Sequence, residues 1–163
     1  MSIQETFSGI ALFHGIAPEA LERVVECSCV EHCPGNYTIY SEGDLLTHLY
    51  VVEQGAVQIS VDVRLWPEQD TVKTAIRTIQ AGEVLGWAAV LNPPRAVTSA
   101  HALPKTTLVA IDGAKLREFL IKESPLAYNM MAELYRAVGE RVRVSSHAQA
   151  MEVAAHTAGK ELL

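Results

Sequence analysis

The spacing of hydrophobic residues near the start of the chain indicates a short helix. Pro18 in GIAPEALERVV suits the first position of a helix. Four apolar residues near it, Ala17, Leu21, Val24 and Val25, fall on one helical face. The sequence therefore predicts that a short helix opens the fold.

From Val30 the pattern changes to short β-branched and aromatic segments separated by glycine turns, which predicts a series of strands. In the clearest segment, AVQISVDV, apolar residues alternate with Gln58, Ser60 and Asp62, so we expect one buried and one wet face. LYVVEQGAVQI is interpreted as a hairpin that turns near Gly55. The polar segment 64–75 holds a proline and predicts a long exposed loop. Further strands are predicted at AIRTI, VTSAHAL and TLVAI.

The pattern after the last predicted strand is that of helices. Asp112 suits the cap of a helix that begins near Gly113, and the residues from Pro125 to about Ala155 predict one long helix. Eight of its residues have the spacing of a heptad seam, and all but Arg141 are apolar. We expect the first half of this seam either to pack on the strands or to meet a partner, and the rest to form a parallel homodimer contact. The eight residues are Met130, Leu134, Ala137, Arg141, Val144, Ala148, Met151 and Ala155.

Composition narrows the classes of protein to consider. A length of 163 residues suits one domain, residues 1–163. The net charge of -6 and the scattered positions of the basic residues argue against nucleic acid as a partner. There is no basic, apolar leader and no apolar run of about 18 residues, so we expect a cytoplasmic protein with no membrane association. The 3 cysteines are then expected to be reduced thiols.

The most informative stretch is AGEVLGWAAVLNPPRAVTSA, residues 81–100, which we call the cassette. It combines a glycine turn, a short run compatible with a helix, and an arginine in an extended segment. Backbone N–H groups at the start of a helix and a nearby guanidinium are the groups that bind phosphate. Gly86 would allow close backbone approach, and Arg95 would supply the counter-charge.

The order of these motifs resembles the cyclic-nucleotide-binding domains of catabolite activator proteins, protein-kinase regulatory subunits and gated channels. The resemblance runs from about Leu12 to Val142 and rests on LFHGIAPEALERVV, YSEGD, LYVVEQGAVQI and the cassette. It implies a mainly β fold, a double-stranded β-helix or jelly-roll-like β-roll over about 30–112. An N-terminal helix, a short cassette helix and a C-terminal helical region over about 113–158 would flank the roll.

The resemblance also implies a ligand. Arg95 would pair with the exocyclic oxygens of a cyclic phosphate, and the backbone N–H groups of Ala89 and Ala96 would donate to the same group. The ligand would be cAMP or cGMP, with no obligatory cofactor, and nothing in the sequence distinguishes the two purines. The predicted contact residues are Gly86, Trp87, Ala88, Ala89, Arg95 and Ala96.

Trp87 departs from the family pattern, because the position after the cassette glycine is usually a glutamate that accepts from the ribose 2'-hydroxyl. An indole has no acceptor, so Trp87 stacks on a ligand ring, fills the ribose space, or reshapes the pocket for another anion. The segment between Gly86 and Arg95 is also one residue shorter than usual, which predicts tightening at Pro93 and Pro94. A further alternative is that Arg95 lies in water or pairs with Glu83 or Glu42.

Catalysis is not expected, because neither a nucleophile elbow nor the usual histidine spacing of a metal enzyme is present. Cys27, Cys29, His32 and Cys33 form a cluster that we interpret as ordinary buried cysteines, with no metal. The chain ends without a helix-turn-helix, so signalling would need its own dimer or a separate effector protein. The predicted function is a non-catalytic sensor that relays through its C-terminal helix. The alternative is a degenerate fold without nucleotide affinity that serves as a dimerisation or scaffold module.

Overall fold

The computed structural model describes residues 2–64, 71–136 and 139. Two helices precede the strands, α1 over Ile3–Ser8 and α2 over Pro18–Glu26, with a short 3-10 turn over Ala11–Phe13 between them. Pro18 begins α2 as predicted. The buried residues of α2 are Ala20 and Val24, whereas Ala17 is exposed, because it lies at the cap position rather than inside the helix.

Eight strands lie within the described residues, and they form two antiparallel sheets. One sheet has the order β1-β8-β3-β6 and the other has the order β2-β7-β4-β5. With its flanking helices this is the mainly β roll that was predicted. The strands are β1 Ser28–Cys33, β2 Thr38–Tyr40, β3 His48–Gln54, β4 Ala56–Arg64, β5 Thr71–Gln80, β6 Val84–Leu85, β7 Ser99–Ala102 and β8 Thr106–Asp112.

The predicted hairpin at Gly55 is wrong, because the strands on its two sides belong to different sheets. β3 pairs with β6 and β8, whereas β4 pairs with β5 and β7. Gly55 has a φ of 82°, and a Cβ built on it would lie 2.8 Å from both the Lys105 carbonyl oxygen and Thr106 Cα. The alternation of residues identifies the two strands and the glycine identifies the turn between them. Neither signal reveals whether the two strands pair with each other.

The loop predicted over 64–75 is shorter than expected. β5 begins at Thr71, and its first residues pair with β4, with Thr71 opposite Arg64 and Ala75 opposite Ser60. β5 is an edge strand, and Val72, Lys73 and Thr74 are exposed, so this segment lacks the alternation that would identify a strand. Residues 65–70 lie outside the described residues.

One residue of β4 breaks the predicted alternation. Val57 and Ile59 are buried as expected, but Ser60 is also buried, with 4% of its surface exposed. β5 and β7 flank Ser60 on both sides, with Ala75 and Ser99 as its partners, and the register with β5 shifts between Ile59 and Ser60. Ser60 is therefore buried because strands cover it on both sides, although the alternation of β4 assigned it to the solvent-exposed face.

The chain leaves the sheets at the predicted cap. The Asp112 carboxylate accepts from the N–H groups of Ala114 and Lys115 at the start of α3, Gly113–Lys122. Residues 124–136 are also helical, which agrees with the beginning of the predicted long helix. No helix within the described residues is long and apolar enough to span a membrane.

The heptad seam is described only at its first two residues. Met130 is buried and Leu134 is half-buried, while the other six lie outside the described residues. The chain divides into two compact units, Met1–Asn129 and Met130–Leu163. The homodimer through the C-terminal helix therefore stays a prediction, which a monomeric mass in solution at all concentrations would contradict.

Candidate functional site

The cassette turns at a position that only glycine accommodates readily. Gly86 is buried and has a φ of 78°, in the left-handed region, and it caps a 3-10 helix over Trp87–Val90, which we call the cassette helix. A Cβ on Gly86 would lie 3.0 Å from the His48 carbonyl oxygen and 3.1 Å from Tyr50 Cδ2. The glycine thus lets the cassette pack directly on β3.

Arg95 lies in an extended segment, as predicted, and its side chain is exposed. Its backbone forms a bridge with Leu45, and its Nη1 donates to the Gly43 carbonyl oxygen at 2.6 Å. Glu83 pairs with Arg77, and Glu42 accepts from the Asp62 N–H, so neither proposed carboxylate partner binds Arg95. Within residues 2–64 and 71–136, no carboxylate neutralises this guanidinium.

Two of the predicted phosphate donors, the backbone N–H groups of Ala89 and Ala96, already donate to backbone carbonyls of the protein. The Ala89 N–H donates to the Gly86 carbonyl at 3.0 Å, and the Ala96 N–H donates to the Asp44 carbonyl at 2.8 Å. By contrast, the N–H groups of Trp87 and Ala88 make no hydrogen bond within the described part of the chain. They are the first donors of the cassette helix, where such groups lack an internal partner. The available backbone donors in the cassette helix therefore lie one and two residues before Ala89, the donor that the resemblance implies.

The loop that contains Gly43 is joined to the arginine segment by further backbone bonds. The Gly43 N–H donates to the Ala96 carbonyl at 2.8 Å, and the Leu46 N–H donates to the Pro94 carbonyl at 2.7 Å. These bonds fix the backbone on both sides of Arg95. The sequence identified YSEGD as one motif of the resemblance but gave no sign that it pairs with the cassette, since the two segments are distant in the chain.

Two tyrosines beside the cassette were not identified from the sequence. Tyr40 belongs to the same buried cluster as Ala89 and Ala96, and half-buried Tyr50 packs against it. Burial raises the pKa of the Tyr40 phenol, and hydrogen bonds with Thr98 and the Gly86 backbone act in the opposite direction. Burial raises the pKa of Tyr50 to about 12, with a further contribution from nearby Glu31. The interior of the roll next to the cassette is therefore lined by neutral phenols, and Trp87 beside it is half-buried.

The cassette helix also packs on the start of α3. A Cβ on Gly113 would lie 2.6 Å from the Ala89 carbonyl oxygen, so these two backbones are in close contact. Arg117 Nη1 donates to the Leu91 carbonyl at the end of the cassette helix, at 3.0 Å. The cassette is thus attached to the first helix after the roll at two points.

The cysteine cluster does not gather into one site. Cys33 is buried, Cys27 is half-buried and Cys29 is exposed, so the interpretation as buried cysteines is wrong for Cys29. His32 bonds to the Thr107 hydroxyl at 3.2 Å. Among the residues that the structure describes, no three metal-ligating side chains come together.

Comparison with known proteins agrees with this geometry. Residues 30–123 match the family model of the cyclic nucleotide-binding domain. The chain is 30% identical over 129 residues to a cAMP-dependent protein kinase regulatory subunit of Colletotrichum trifolii, which covers 77% of this chain and 32% of that protein. It is 31% identical over 136 residues to a cyclic AMP receptor protein of Thermus thermophilus, covering 81% of this chain and 59% of that protein.

A solved structure shares the fold. The crystal structure of the Thermus thermophilus catabolite activator protein superposes with a TM-score of 0.69 at 24% identity, over 88% of this chain and 63% of that chain. The chain spans about a third of the length of the fungal kinase subunit and about three-fifths of the Thermus receptor. Because the family model covers more than half of its residues, the chain belongs to the cyclic nucleotide-binding domain family.

Proposed function

We propose that this domain is a non-catalytic regulatory sensor that binds a cyclic nucleotide, or a related phosphate anion, at residues 86–96. The observation that carries the proposal is Arg95, whose exposed guanidinium has no carboxylate partner in the described chain and is held by a bond from its Nη1 to the Gly43 carbonyl oxygen. Family membership supports a ligand of this class, and the names of the two curated relatives refer to cAMP.

The donor groups around Arg95 suit a phosphate better than a neutral ligand. A guanidinium offers several N–H groups in one plane, and charge-assisted bonds to phosphate oxygens are roughly twice as strong as neutral ones. The unpaired N–H groups of Trp87 and Ala88 at the start of the cassette helix would add donors. We therefore assign the phosphate to Arg95, Trp87 and Ala88. Gly86 shapes the turn, and Ala89 and Ala96 pack beneath it in the buried cluster.

Trp87 sets the expected strength of nucleotide binding. The lack of a carboxylate acceptor for the ribose 2'-hydroxyl costs about 1.5 to 3 kcal/mol, which is roughly a tenfold to hundredfold loss of affinity. The half-buried indole and the phenols of Tyr40 and Tyr50 make the surroundings aromatic. This supports a ligand ring stacked beside the cassette as one arrangement of a weak complex.

Calorimetric titration with cAMP and cGMP tests the sensor proposal, and Trp87→Glu sharpens it. We expect saturable binding to the unaltered protein and a roughly tenfold to hundredfold gain for Trp87→Glu, because a carboxylate would accept from the ribose hydroxyl. The variant should gain nothing with 2'-deoxy-cAMP, which lacks that hydroxyl. Trp87→Leu is the matched control, since it removes the indole without adding an acceptor. No binding to either protein would contradict the proposal.

We further propose that ligand binding is relayed through α3. The contact of Gly113 with Ala89 and the bond from Arg117 to Leu91 attach the start of this helix to the cassette helix. A shift of the cassette on binding would then change the packing of α3, provided that the ligand binds the two arrangements with different affinity.

Hydrogen exchange tests the relay. Saturating cAMP should change amide exchange in α3 by at least severalfold, and Arg117→Ala should reduce that change. The variant should keep its cAMP affinity within about threefold, because the hydrogen bond that the described structure gives the Arg117 side chain goes to Leu91 and not to a proposed ligand contact. Lys122→Ala, on the exposed end of the same helix, is the control and should behave as the unaltered protein. If amide exchange in α3 did not change when cAMP binds, the relay would be contradicted.

A second candidate function is a scaffold without nucleotide affinity. The observation that favours it is the engagement of the Ala89 and Ala96 N–H groups with internal carbonyls, which leaves fewer backbone donors for a phosphate. Tyr40 also occupies buried space beside the cassette. Absence of binding in the titration above, together with an unchanged melting temperature at millimolar nucleotide, would favour this function over the sensor.

A further inference from the structure

A polar cleft lies on the second sheet, away from the cassette. Its volume is about 330 Å³, at the small end of the range for small-molecule sites. The residues that line it come from β4, β5, β7 and the turn before β2. They are Asn36, Gln58, Ser60, Lys73, Ala75 and His101.

The register of the strands places this cleft on the face opposite the core. Val57 pairs with Ala102 and Ile59 pairs with Ala100, and these four residues belong to the buried cluster inside the roll. Gln58 lies between Val57 and Ile59, so its side chain points to the other face of the sheet. Its partner His101 shares that face, and so does Ser60 by alternation along β4. Ala75 and Lys73 share it because they lie opposite Ser60 and Asp62. The cleft is therefore separate from the nucleotide site proposed above.

Ser60 is the unusual residue of this cleft. Its hydroxyl oxygen is buried, and it has no hydrogen-bond partner within the described residues. A buried hydroxyl without a partner costs about 1 to 3 kcal/mol, and such groups are rare in folded proteins. Ser60 is one of the residues that line the cleft.

The polar side chains around Ser60 can all donate hydrogen bonds, and Lys73 can only donate. Lys73 contributes an ammonium group, and Asn36 and Gln58 contribute side-chain amides. His101 Nδ1 pairs with the Thr38 hydroxyl at 3.1 Å, which leaves its Nε2 for another contact. Among the residues that the structure describes, none that lines the cleft is acidic. The nearest carboxylate by register is Asp62, which lies opposite Lys73 on β4 and is exposed.

We infer that this cleft binds a small molecule bearing an oxyanion, a carboxylate or a phosphate, through the Ser60 hydroxyl and the Lys73 ammonium. An oxyanion accepts from both groups and satisfies the buried hydroxyl at the same time. The amides of Gln58 and Asn36 and the imidazole of His101 add neutral contacts that orient the rest of the molecule. The volume holds a compact metabolite rather than a nucleic acid or a folded partner.

Nuclear magnetic resonance on the full chain tests the site, with inorganic phosphate and succinate as separate probes. We expect one or both probes to shift the amide signals of Gln58, Ser60 and His101 saturably at roughly millimolar concentration. Lys73→Gln and Ser60→Ala should each weaken that binding by about tenfold, because each removes one direct contact. Lys122→Gln removes an exposed lysine outside the cleft and should leave the binding unchanged.

A second measurement separates a ligand site from a merely structural serine. Without any anion, Ser60→Ala should melt at the same temperature as the unaltered protein or higher, because it removes an unsatisfied buried hydroxyl. With the anion, only the unaltered protein should gain melting temperature. The proposal is overturned if neither probe shifts these amides at tens of millimolar, roughly the weakest useful range. Undiminished binding in either cleft variant overturns it as well.

Discussion

Replacing Arg95 with alanine should weaken cAMP binding by roughly a hundredfold. The guanidinium would make two charge-assisted bonds to the exocyclic phosphate oxygens, and their loss costs about 3 kcal/mol in total. The fold should survive, because the only bond that the described structure gives this side chain is the one from Nη1 to the Gly43 carbonyl. Calorimetric titration of both proteins with cAMP measures the effect, and thermal melting confirms that the variant is folded.

Two further variants make this result specific. Arg23 is an exposed arginine on α2, so Arg23→Ala changes the net charge equally and should bind cAMP as the unaltered protein does. Arg95→Lys keeps the charge but loses the planar pair of donors, so its affinity should fall between those of the arginine and alanine proteins. If Arg95→Ala bound cAMP with unchanged affinity, the phosphate would have to lie elsewhere and the site would be misplaced.

Replacing Gly55 with alanine should destabilise the fold by about 2 to 5 kcal/mol. Two costs add: about 1 to 2 kcal/mol for a side chain in the left-handed region, and about 1 to 3 kcal/mol for overpacking. The second cost arises because the new Cβ would lie 2.8 Å from the backbone at Lys105 and Thr106, which β8 holds in place. Equilibrium unfolding in urea, read as the change in midpoint at constant slope, measures it.

Gly82 provides the matched control for this prediction. It has a similar φ of 88°, but a Cβ on it would have no atom within 4 Å. Gly82→Ala should therefore lower the free energy of unfolding by only about 1 to 2 kcal/mol, the cost of a side chain in the left-handed region. If both variants lost the same free energy of unfolding, the backbone around Gly55 would have moved to make room for the new Cβ. The turn between β3 and β4 would then be more adaptable than its geometry indicates.

The sequence predicted the local features of the fold well, because each rests on residues that are close together in the chain. Pro18 at the start of a helix, Asp112 as a cap and Gly86 at a turn are all local signals. The errors concern distant segments. The partners of the strands beside Gly55, and the burial of Ser60 between β5 and β7, depend on which strands the chain later places beside them.

The same distinction applies to the candidate site. Motif order identified Arg95 and the cassette glycine, and family membership supports the class of ligand. The order of the motifs did not show that the Ala96 N–H donates to the Asp44 carbonyl, or that Arg117 donates to Leu91 at the end of the cassette helix. Both contacts join segments that are remote in sequence, and no pattern within either segment encodes them.

The position of β8 has a consequence for how the chain folds. β8 is the last of the described strands, yet it lies between β1 and β3 in its sheet and is almost wholly buried. The first sheet is therefore incomplete until nearly the whole roll has left the ribosome, and pairing β1 with β8 requires closure of a loop that contains every other strand. Folds dominated by such distant pairings fold slowly, in roughly milliseconds to seconds. A nascent chain that stops before Thr106 would expose the inner edges of β1 and β3 and would be prone to aggregate.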